Sequence, residues 1–453
     1  MIVMKFGGTS VEDVPAIRRV IEIVQSHRSR KPLVVVSACA GVTNDLIRVA
    51  QTVKNRDENT SLSILDQILE QHTKIVDGLM RGNRQRRIKE CIETMFQELR
   101  NLIRGVYLLG ELTSRSLDTF MSYGERLSSL IVQHALEEIE LPSVLIDARQ
   151  VMITGSTFGA AQPLMDKITE RAKNIFKPMI EAGKVIVTQG FIGATDEGTT
   201  TTIGRGGSDY SASIFGSAVD AEEIQIWTDV DGMMTADPRI VPHAKRIDVL
   251  SFDEASELAY FGAKVLHPNT ILPAVRRNIP VRVLHARRPE LEGTLILKSP
   301  PATGNPVKSI ASKKGIVLIN VTSSRMLLAH GFLAKLFSIF AEHQKSVDVV
   351  STSEVSVSLT VDSEVGLAEV QKELEQIGEV HIEPHKAIVC VVGERMKQTP
   401  GIAARVFNAL AQANVNIEMI SEGASEINIT MVVDDKDVNT SVRVLHDEFF
   451  PKE

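Results

Sequence analysis

The segment from Thr199 to Asp209 reads TTTTIGRGGSD and combines hydroxyl groups, glycines, one arginine and one aspartate. Glycines let a backbone turn tightly and bring its N–H groups close to an anion, and an arginine binds carboxylates and phosphates as a fork. The segment lies between a strand-like run, Lys184 to Ile192, and a helix-like run beginning near Ser208. A flexible surface turn would explain glycines alone. Two opposite charges between these elements favour a phosphate or carboxylate cradle at a strand-to-helix turn.

Length and composition limit the class of protein. The chain has 453 residues, too many for one ordinary core, so we expect two or three domains. A net charge of −7 with interspersed signs does not favour a nucleic-acid partner. Three distant cysteines, Cys39, Cys91 and Cys390, predict neither a disulfide framework nor a metal site. No apolar run is long enough to cross a bilayer, so we expect a cytoplasmic protein without a membrane partner.

The first part of the chain alternates apolar strands, glycine-rich turns and helices. Met1 to Phe6 predicts a strand, Gly7 to Ser10 a turn and Val14 to His27 a helix, and Pro32 to Ala38 begins the pattern again. Two such units favour the α/β class with a doubly wound, mainly parallel sheet. Lys5 then lies at the carboxyl end of a strand, where such sheets bind ligands. Neither turn matches the P-loop or G-x-G-x-x-G pattern.

Residues 45–140 have helical spacing throughout and predict an inserted helical lobe. Its last helix contains Gly124 followed by Glu125, and a glycine inside a helix costs about 1 kcal/mol relative to alanine. We expect either a close neighbour at Gly124 or a Glu125 side chain directed into a cleft. An ordinary solvated pair of Glu125 with Arg126 is the alternative.

Several strands follow the helical lobe, predicted at Ser143 to Asp147, Val185 to Gln189, Glu223 to Thr228, Val281 to His285 and Thr294 to Leu297. The acidic turn from Asp229 to Gly232 suits a ribose hydroxyl, a metal or merely a tight turn. Lys264 lies near the end of a helix predicted from Phe252 to Leu266, where the helix dipole favours a cation even without a ligand. Proline and glycine in residues 299–312 predict a linker, so the first domain spans residues 1–298.

The sequence repeats itself beyond this linker. Gly331 to Val361 aligns without a gap onto Gly401 to Met431, and each copy has a helix, a turn, a β-branched run and an alternating strand. The pattern predicts two ferredoxin-like βαββαβ modules, at residues 313–385 and 386–453. Two modules that share an architecture but differ in loop residues favour regulation or dimerisation over chemistry.

Five motifs, in order along the whole chain, resemble those of the aspartate kinase (aspartokinase) family. They are Lys5-Phe6-Gly7-Gly8-Thr9-Ser10, Ser37-Ala38-Cys39-Ala40-Gly41-Val42-Thr43, Gly204-Arg205-Gly206-Gly207-Ser208-Asp209, Trp227-Thr228-Asp229-Val230-Asp231-Gly232 and Ala263-Lys264-Val265-Leu266-His267-Pro268. Each motif is weak alone, but the combination is specific. The resemblance implies an amino-acid kinase fold with two C-terminal ACT domains. It also implies ATP-dependent phosphorylation of the β-carboxylate of L-aspartate to 4-phospho-L-aspartate, the first step toward lysine, threonine and methionine.

The resemblance assigns a role to each site residue. Lys5, Asp209 and Arg205 would be catalytic, with Asp209 positioning Lys5 and the Mg²⁺ that accompanies ATP, and no residue is assigned as a dedicated metal ligand. The ATP site would comprise Lys5, Phe6, Gly7, Gly8, Ser10, Thr228, Asp229, Met234, Arg239, Lys264 and Val265. The aspartate site would comprise Ser37, Thr43, Glu125, Arg205 and Ser208. Met234 stands where several relatives carry tyrosine, and its thioether can pack against adenine but supplies no hydroxyl.

The first ACT copy resembles the lysine-binding copy of lysine-inhibited members of the family. The implied effector contacts are Met326, Ser346, Val347, Asp348, Ser353 and Glu354. Two of these are carboxylates that could meet a cationic side chain, which threonine lacks, so lysine is the expected effector. The second copy has Gly423-Ala424 in place of Ser353-Glu354, so we expect one effector site per chain. Because ACT modules pair around two-fold axes, we expect a homodimer or a dimer of dimers.

Three alternatives remain open at this point. A threonine-regulated aspartate kinase would carry the same catalytic motifs. Another amino-acid kinase would share the lysine and glycine turn, although the ACT pair and the lobe ending in Glu125 favour aspartate. A non-catalytic amino-acid sensor is a different class of protein, and Lys5, Arg205 and Asp209 argue against it.

Overall fold

The computed structural model describes residues 1–204, 206–261, 268–300, 305–326, 330–394, 396, 398–422 and 427–451. The helices are α1 (Val14–Ser26), α2 (Val42–Lys54), α3 (Glu58–Leu79), α4 (Gly82–Leu109), α5 (Ser114–Glu138), α6 (Met165–Glu181), α7 (Gly207–Ala218), α8 (Phe252–Phe261), α9 (Leu272–Arg277), α10 (Phe332–Glu342), α11 (Leu367–Leu374), α12 (Ile402–Gln412) and α13 (Val438–Phe449). The strands are β1 (Ile2–Phe6), β2 (Pro32–Val36), β3 (Ser143–Ile146), β4 (Val185–Gln189), β5 (Ile192–Ala194), β6 (Thr200–Thr202), β7 (Glu223–Thr228), β8 (Val249–Ser251), β9 (Val281–His285), β10 (Thr294–Leu297), β11 (Val307–Thr322), β12 (Val350–Thr352), β13 (Ser356–Val361), β14 (Glu379–Gly393), β15 (Met419–Glu422) and β16 (Asn428–Asp434). None of these helices is both long and apolar enough to span a bilayer.

The chain forms two compact units. The first comprises Met1–Met233 with Val265–Pro300, and the second comprises Met234–Lys264 with Pro301–Glu453. Helix α8, which the sequence places in the first domain, is therefore grouped with the C-terminal unit. The predicted domain limits at 298, 312 and 385 stay predictions.

The first unit is built on a sheet with the order β3-β4-β2-β1-β7-β9-β10. Each neighbouring pair is parallel except β9 and β10. The apolar runs predicted as strands form this sheet, which confirms the mainly parallel α/β prediction. Strand β1 pairs with β2 on one side and β7 on the other, so the strand order reverses at the boundary between β1 and β7. Open α/β sheets bind ligands in the crevice at such a point.

Four helices, α2 to α5, form the predicted helical lobe. Their apolar faces share one core with the sheet, and residues such as Ile88, Phe96 and Leu127 are almost completely buried. Gly124 lies in the middle of α5, where a Cβ atom would be 2.7 Å from the Cβ of Ala38. The glycine is therefore required by the close approach of the segment that follows β2, one of the two explanations that the sequence left open.

A short hairpin, which was not predicted, leads directly into Gly204 and the glycines that follow it. Strands β5 and β6 pair in antiparallel register, with Ile192 opposite Thr202. The threonine run is thus strand rather than loop, and all three residues of β6 are buried. The turn after β6 passes through Gly204 and Gly206, whose φ angles are +82° and +68°. Side chains rarely adopt such φ values, so this sharp turn into α7 needs glycine.

The second unit contains a six-stranded sheet with the order β12-β13-β11-β14-β16-β15. The long strands β11 and β14 pair with each other along almost their whole length, through a bulge near Gly315. The C-terminal half of β11 pairs with β13, whereas the C-terminal half of β14 pairs with β16. Both modules therefore share these two strands. Because β11 begins at Val307, it starts inside the segment predicted as a linker.

The two repeats have the predicted architecture. Helices α10 and α12 occupy equivalent positions, and each is followed by an antiparallel strand pair, β12 with β13 and β15 with β16. Each module has its own core, one centred on Leu336 and Phe340 and the other on Val406 and Leu410. The N-terminal half of β11 pairs with β14 and completes the second module, so the first module is inserted into the second.

Candidate active site and effector loop

Lys5 and Asp209 form an ion pair at the carboxyl edge of the first sheet. Lys5 is the fourth residue of β1, and Asp209 lies in the first turn of α7. The Lys5 Nζ atom is 2.6 Å from Asp209 Oδ1, and both side chains are largely shielded from solvent. The sequence predicted each residue at the end of its own element, and the parallel sheet brings the two together.

Glu125 is a buried carboxylate beside this pair. It is only 3% exposed, and its Oε2 atom has no hydrogen-bond partner among the described residues. Burial raises the pKa of Glu125 to about 8, while the backbone N–H of Ala38 and the charge of Lys5 act in the opposite direction. An unsatisfied buried carboxylate is costly, so a cationic ligand here would gain a strong, charge-assisted hydrogen bond. The alternative of a solvated Glu125–Arg126 pair is therefore wrong.

One cavity of about 420 Å³ joins these groups. The predicted residues that line it are Lys5, Ser37, Thr43, Glu125, Ser208 and Asp209. They come from the end of β1, from the segment that runs from β2 into α2, from α5 and from the start of α7. Met121, Phe191 and Thr202 also line the cavity. A cation, a buried carboxyl group and hydroxyl groups therefore converge on a space large enough for a small polar metabolite.

The predicted nucleotide residues of the first unit lie around the β1–β7 boundary. The main chain of Gly7 is held there, since its N–H donates to Trp227 O at 3.2 Å. Thr228 is the last residue of β7 and is half-buried, and Asp229 follows it and is exposed. Phe6 is fully buried and stacks on Trp227, so it could contribute only its backbone. The Ser10 side chain is also buried, at 3% exposure.

Other predicted nucleotide residues lie elsewhere in the chain. Met234 belongs to the second unit, where its carbonyl accepts a hydrogen bond from the Ser309 hydroxyl at 2.8 Å. Arg239 is exposed and pairs with Asp237 at 2.6 Å. Arg205, Lys264 and Val265 lie outside the described residues. Their roles stay predictions.

Asp118 is a residue of this region that the sequence reasoning missed. It is completely buried on α5, seven residues before Glu125. Its carboxylate accepts hydrogen bonds from the N–H of Gly159 at 3.0 Å and from the N–H and hydroxyl of Thr202 at 2.9 and 2.8 Å. An acidic residue two turns from Glu125 on the same helical face was the available signal.

Family models match both parts of the chain. Residues 1–285 match the amino acid kinase family and residues 389–449 match an ACT domain. The chain is 38% identical to lysine-sensitive aspartokinase 3 of Escherichia coli over 99% of both sequences. The chain belongs to the aspartokinase family. It is therefore a kinase, and the reaction of the family is the ATP-dependent phosphorylation of aspartate.

Solved structures of E. coli aspartokinase III have the same fold as this aspartokinase chain. The complex with aspartate and ADP, described as the R-state, superposes with a TM-score of 0.85 at 38% identity, covering 99% of this chain and 100% of that one. The complex with lysine and aspartate, described as the T-state, gives a TM-score of 0.83 at 38% identity, with 99% of each chain covered.

The predicted effector loop of this aspartokinase carries an ion cluster around one buried carboxylate. The Asp348 side chain is 2% exposed, and one of its oxygens is 3.1 Å from Lys313 Nζ. The Tyr260 hydroxyl, from α8, donates to the other oxygen at 2.5 Å. Lys313 also pairs with Asp362 at the end of β13. Burial, with Asp362 adding to it, raises the pKa of Asp348, whereas Tyr260 and Lys313 lower it.

The other predicted effector residues differ in exposure and in contacts. Glu354 and Ser353 are exposed, and the Ser353 hydroxyl is hydrogen-bonded to that of Ser356 at 2.8 Å. Met326 and Val347 pack against the core of the first module. The corresponding Gly423 and Ala424 of the second module lie outside the described residues.

The second module repeats the ion cluster. Lys386, on β14, lies 2.9 Å from Asp434, 3.0 Å from Glu383 and 3.4 Å from Glu418. Glu418 follows α12 as Asp348 follows α10, and Asp434 ends β16 much as Asp362 follows β13. In each module, a lysine of one of the two shared strands, β11 or β14, therefore pairs with a carboxylate of the loop that follows the first helix.

Proposed function

We propose that this aspartokinase phosphorylates L-aspartate in the cavity between Lys5, Glu125 and Asp209. The observation that carries the proposal is the unsatisfied, buried carboxylate of Glu125 in the same cavity as the Lys5–Asp209 ion pair. A substrate that is an amino acid places an ammonium group and carboxylates within a few ångströms of each other. The cavity offers an anion for the first and a cation with hydroxyl groups for the second.

The substrate would be oriented by groups from separate elements. Glu125 would accept from the α-amine, and Ser208 and Arg205 would hold the α-carboxylate beside the N-terminus of α7, where the helix dipole favours an anion. Thr43 and Ser37 would position the side chain. The β-carboxylate is ionised at neutral pH, so the nucleophile needs no general base. Catalysis then depends on bringing two anions together and stabilising charge on the phosphoryl group.

The nucleotide would bind across the β1–β7 boundary. Lys5 would contact the phosphates together with the backbone of Gly7 and Gly8, and Thr228 and Asp229 would face the nucleoside. The carboxylate of Asp209 fits the preference of Mg²⁺ for oxygen ligands, and it lies at the phosphate end of this site. Mg²⁺ bound with ATP would neutralise phosphate charge. Asp209 would also hold the Lys5 ammonium group in place.

A hydroxamate assay tests this function directly. Purified protein is incubated with ATP, Mg²⁺, hydroxylamine and one acceptor, which is L-aspartate, L-glutamate or N-acetyl-L-glutamate. We expect hydroxamate and ADP to form only with L-aspartate. Turnover with another acceptor alone would move the chain to a different amino-acid kinase activity, and no turnover with any acceptor would favour the sensor alternative.

We further propose that lysine inhibits this enzyme through the first ACT module. The relative named lysine-sensitive and the T-state complex with lysine support this choice, as do the carboxylates of Asp348 and Glu354 in the predicted effector loop. The assay repeated with millimolar lysine or threonine distinguishes the two effectors. Inhibition by threonine alone would contradict the lysine proposal and leave the catalytic one intact.

Assembly and location are part of the same proposal. We expect a homodimer or dimer of dimers formed through the ACT modules, which light scattering of the purified chain would measure. A cytoplasmic location suits the free cysteines Cys39, Cys91 and Cys390. Fractionation of cells expressing the chain would test it.

A further inference from the structure

We infer that Asp118 is a positioning residue that fixes two walls of the aspartate cavity to the helix that carries Glu125. The inference rests on the proposed site. Asp118 does not line the cavity, but both segments to which it is bonded do, at Gly159 and Thr202. Asp118 would therefore affect the cavity through these two segments.

The first wall is the hairpin that leads into the glycine-rich cradle. Thr202 is the last residue of β6, and both its N–H and its hydroxyl donate to Asp118. Gly204 follows two residues later, and Ser208 and Asp209 complete the turn into α7. Because the turn passes through two left-handed glycines, its own backbone does little to restrict it. The position at which the cradle starts is set by the bonds of Thr202.

The second wall is the loop between Gln150 and α6. Its Gly159 N–H donates to the Asp118 oxygen that also accepts from the Thr202 N–H. The neighbouring Ala161 N–H donates to Thr202 O at 2.8 Å. One buried carboxylate thus joins this loop, the hairpin and α5 at a single point.

The third element is α5 itself. Asp118 and Glu125 are seven residues apart, about two helical turns, so they lie on the same face of the helix. The bonds of Asp118 therefore set the distance between Glu125, which would bind the substrate amine, and the cradle, which would bind the substrate carboxylate. A residue that sets this distance should control aspartate binding more than ATP binding, because the described nucleotide residues proposed in the first unit lie on β1 and β7 or in the turns that directly follow them.

Three substitutions test the role. Asp118→Ala removes all three acceptor bonds, and Asp118→Glu keeps the charge but displaces the acceptor. Asp118→Asn can keep both N–H bonds through its amide oxygen, while its amide N–H donates to the Thr202 hydroxyl, which can accept. A matched control is Glu254→Ala in the second unit, since Glu254 is also completely buried and accepts a backbone N–H, from Ser251 at 2.7 Å.

The measurements are KM for aspartate and for ATP, kcat, and the thermal shift that aspartate produces. We expect Asp118→Ala and Asp118→Glu to raise KM for aspartate about tenfold and to lower kcat, with KM for ATP changed less than about twofold, since small misplacements of reacting groups cost this much. Asp118→Asn should restore most of the wild-type value. Glu254→Ala should lower the melting temperature without changing KM for aspartate.

Two results would overturn the inference. One is an unchanged KM for aspartate in folded Asp118→Ala, or in Asp118→Glu if the alanine variant does not fold. The other is an equal rise in both KM values, which would indicate general loosening of the unit. Wild-type protein is assayed in parallel. If the proposed function is wrong, the wild type will not phosphorylate aspartate. If only the role of Asp118 is wrong, the wild type will be active and the variants will bind aspartate as it does.

Discussion

The ammonium group of Lys313 lies 3.1 Å from an oxygen of Asp348, a side chain that is only 2% exposed. The carboxylate expected to meet a cationic effector therefore already has a cationic partner within the chain, on β11. Asp362 shares the same lysine, so two carboxylates are balanced by one ammonium group. An incoming lysine side chain would find a site that retains net negative charge but is partly neutralised.

Replacing Lys313 with methionine should increase sensitivity to lysine. The substitution keeps much of the aliphatic packing and leaves Asp348 and Asp362 without their cation, and an uncompensated buried charge is costly. An effector ammonium group that offsets this cost would bind more tightly, so we expect the half-inhibitory lysine concentration to fall several-fold while the uninhibited kcat stays near wild type. Inhibition curves at saturating aspartate and ATP measure it.

Lys314→Met is the matched control, because Lys314 is exposed and lies next to Lys313 on β11. It should leave inhibition unchanged. Weaker inhibition in Lys313→Met would mean that Lys313 maintains the conformation of the effector loop rather than neutralising part of its charge. That result would contradict the expectation.

Local sequence patterns were sufficient for most of the fold. The strands β3, β4, β7, β9 and β10 are short apolar runs with clear ends, and the helical lobe has regular apolar spacing, so each element could be recognised from its own residues. The ACT repeat was visible because its two copies align without a gap. The rule that parallel strands present their carboxyl ends on one edge predicted the position of Lys5, whereas its pairing with Asp209 was implied only by the resemblance to the family.

The parts that could not be predicted depend on long-range contacts. Asp118 bonds to Thr202, 84 positions away, and Lys313 to Asp348, 35 positions away, and neither pair has a periodic signature. The hairpin of β5 and β6 has strands of only three residues. Strand β11 begins at Val307, directly after a proline-rich stretch. The predicted linker, residues 299–312, therefore included the start of this strand, which completes the second module.

Lys5 and Asp209 should act as a unit in catalysis. We expect Lys5→Met and Asp209→Asn each to lower kcat by about 10²–10³-fold, because preorganised charge at the transferring group contributes this much. The double variant should be little worse than either single one, since the loss of one partner already misplaces the other. Steady-state kinetics on protein with unchanged circular dichroism would measure it.

The exposed pair of Lys167 and Asp196 in the same unit supplies the control. Lys167→Met should retain near-wild-type activity, because surface pairs contribute little. Near-normal turnover in Lys5→Met would remove Lys5 from its proposed role, and strictly additive losses would show that the two residues act independently.

Glu125 should make aspartate binding depend on pH. Burial holds the pKa of Glu125 in the free enzyme at about 8, and only the ionised form pairs favourably with an ammonium group. We therefore expect kcat/KM for aspartate to rise as pH increases through about 8, until the substrate amine itself loses its proton. Glu125→Gln should raise KM for aspartate and remove this rise, whereas an identical pH profile in the variant would exclude Glu125 as the titrating group.

The carboxyl group of Glu125 should also make the folded chain less stable as pH rises. Its pKa is raised from 4.5 to about 8 in the folded chain, so the folded state keeps a proton that the unfolded state loses above pH 4.5. Its contribution to stability is complete below pH 4.5 and is lost as pH rises through about 8. Melting temperatures between pH 6 and pH 9 should therefore fall more steeply for the wild type than for Glu125→Gln. Saturating aspartate should reduce the difference, because the bound amine stabilises the ionised form.

Gly124 should be intolerant of even one added methyl group. The new Cβ atom of Gly124→Ala would lie 2.7 Å from the Cβ of Ala38, so either α5 or the turn after β2 has to shift. Overpacking of this kind costs about 1–3 kcal/mol, and the shift would displace Glu125 from the cavity. We expect a lower free energy of unfolding together with a higher KM for aspartate. Gly105→Ala is the control, since Gly105 is inside α4 and, apart from the helix's own backbone, no atom of the described residues lies within 4 Å of its Cβ position. There the same change should stabilise the helix by up to about 1 kcal/mol. Adding Ala38→Gly to Gly124→Ala should restore KM for aspartate, and a KM that stays high in this double variant would show that contact with Ala38 is not what fixes the position of Glu125.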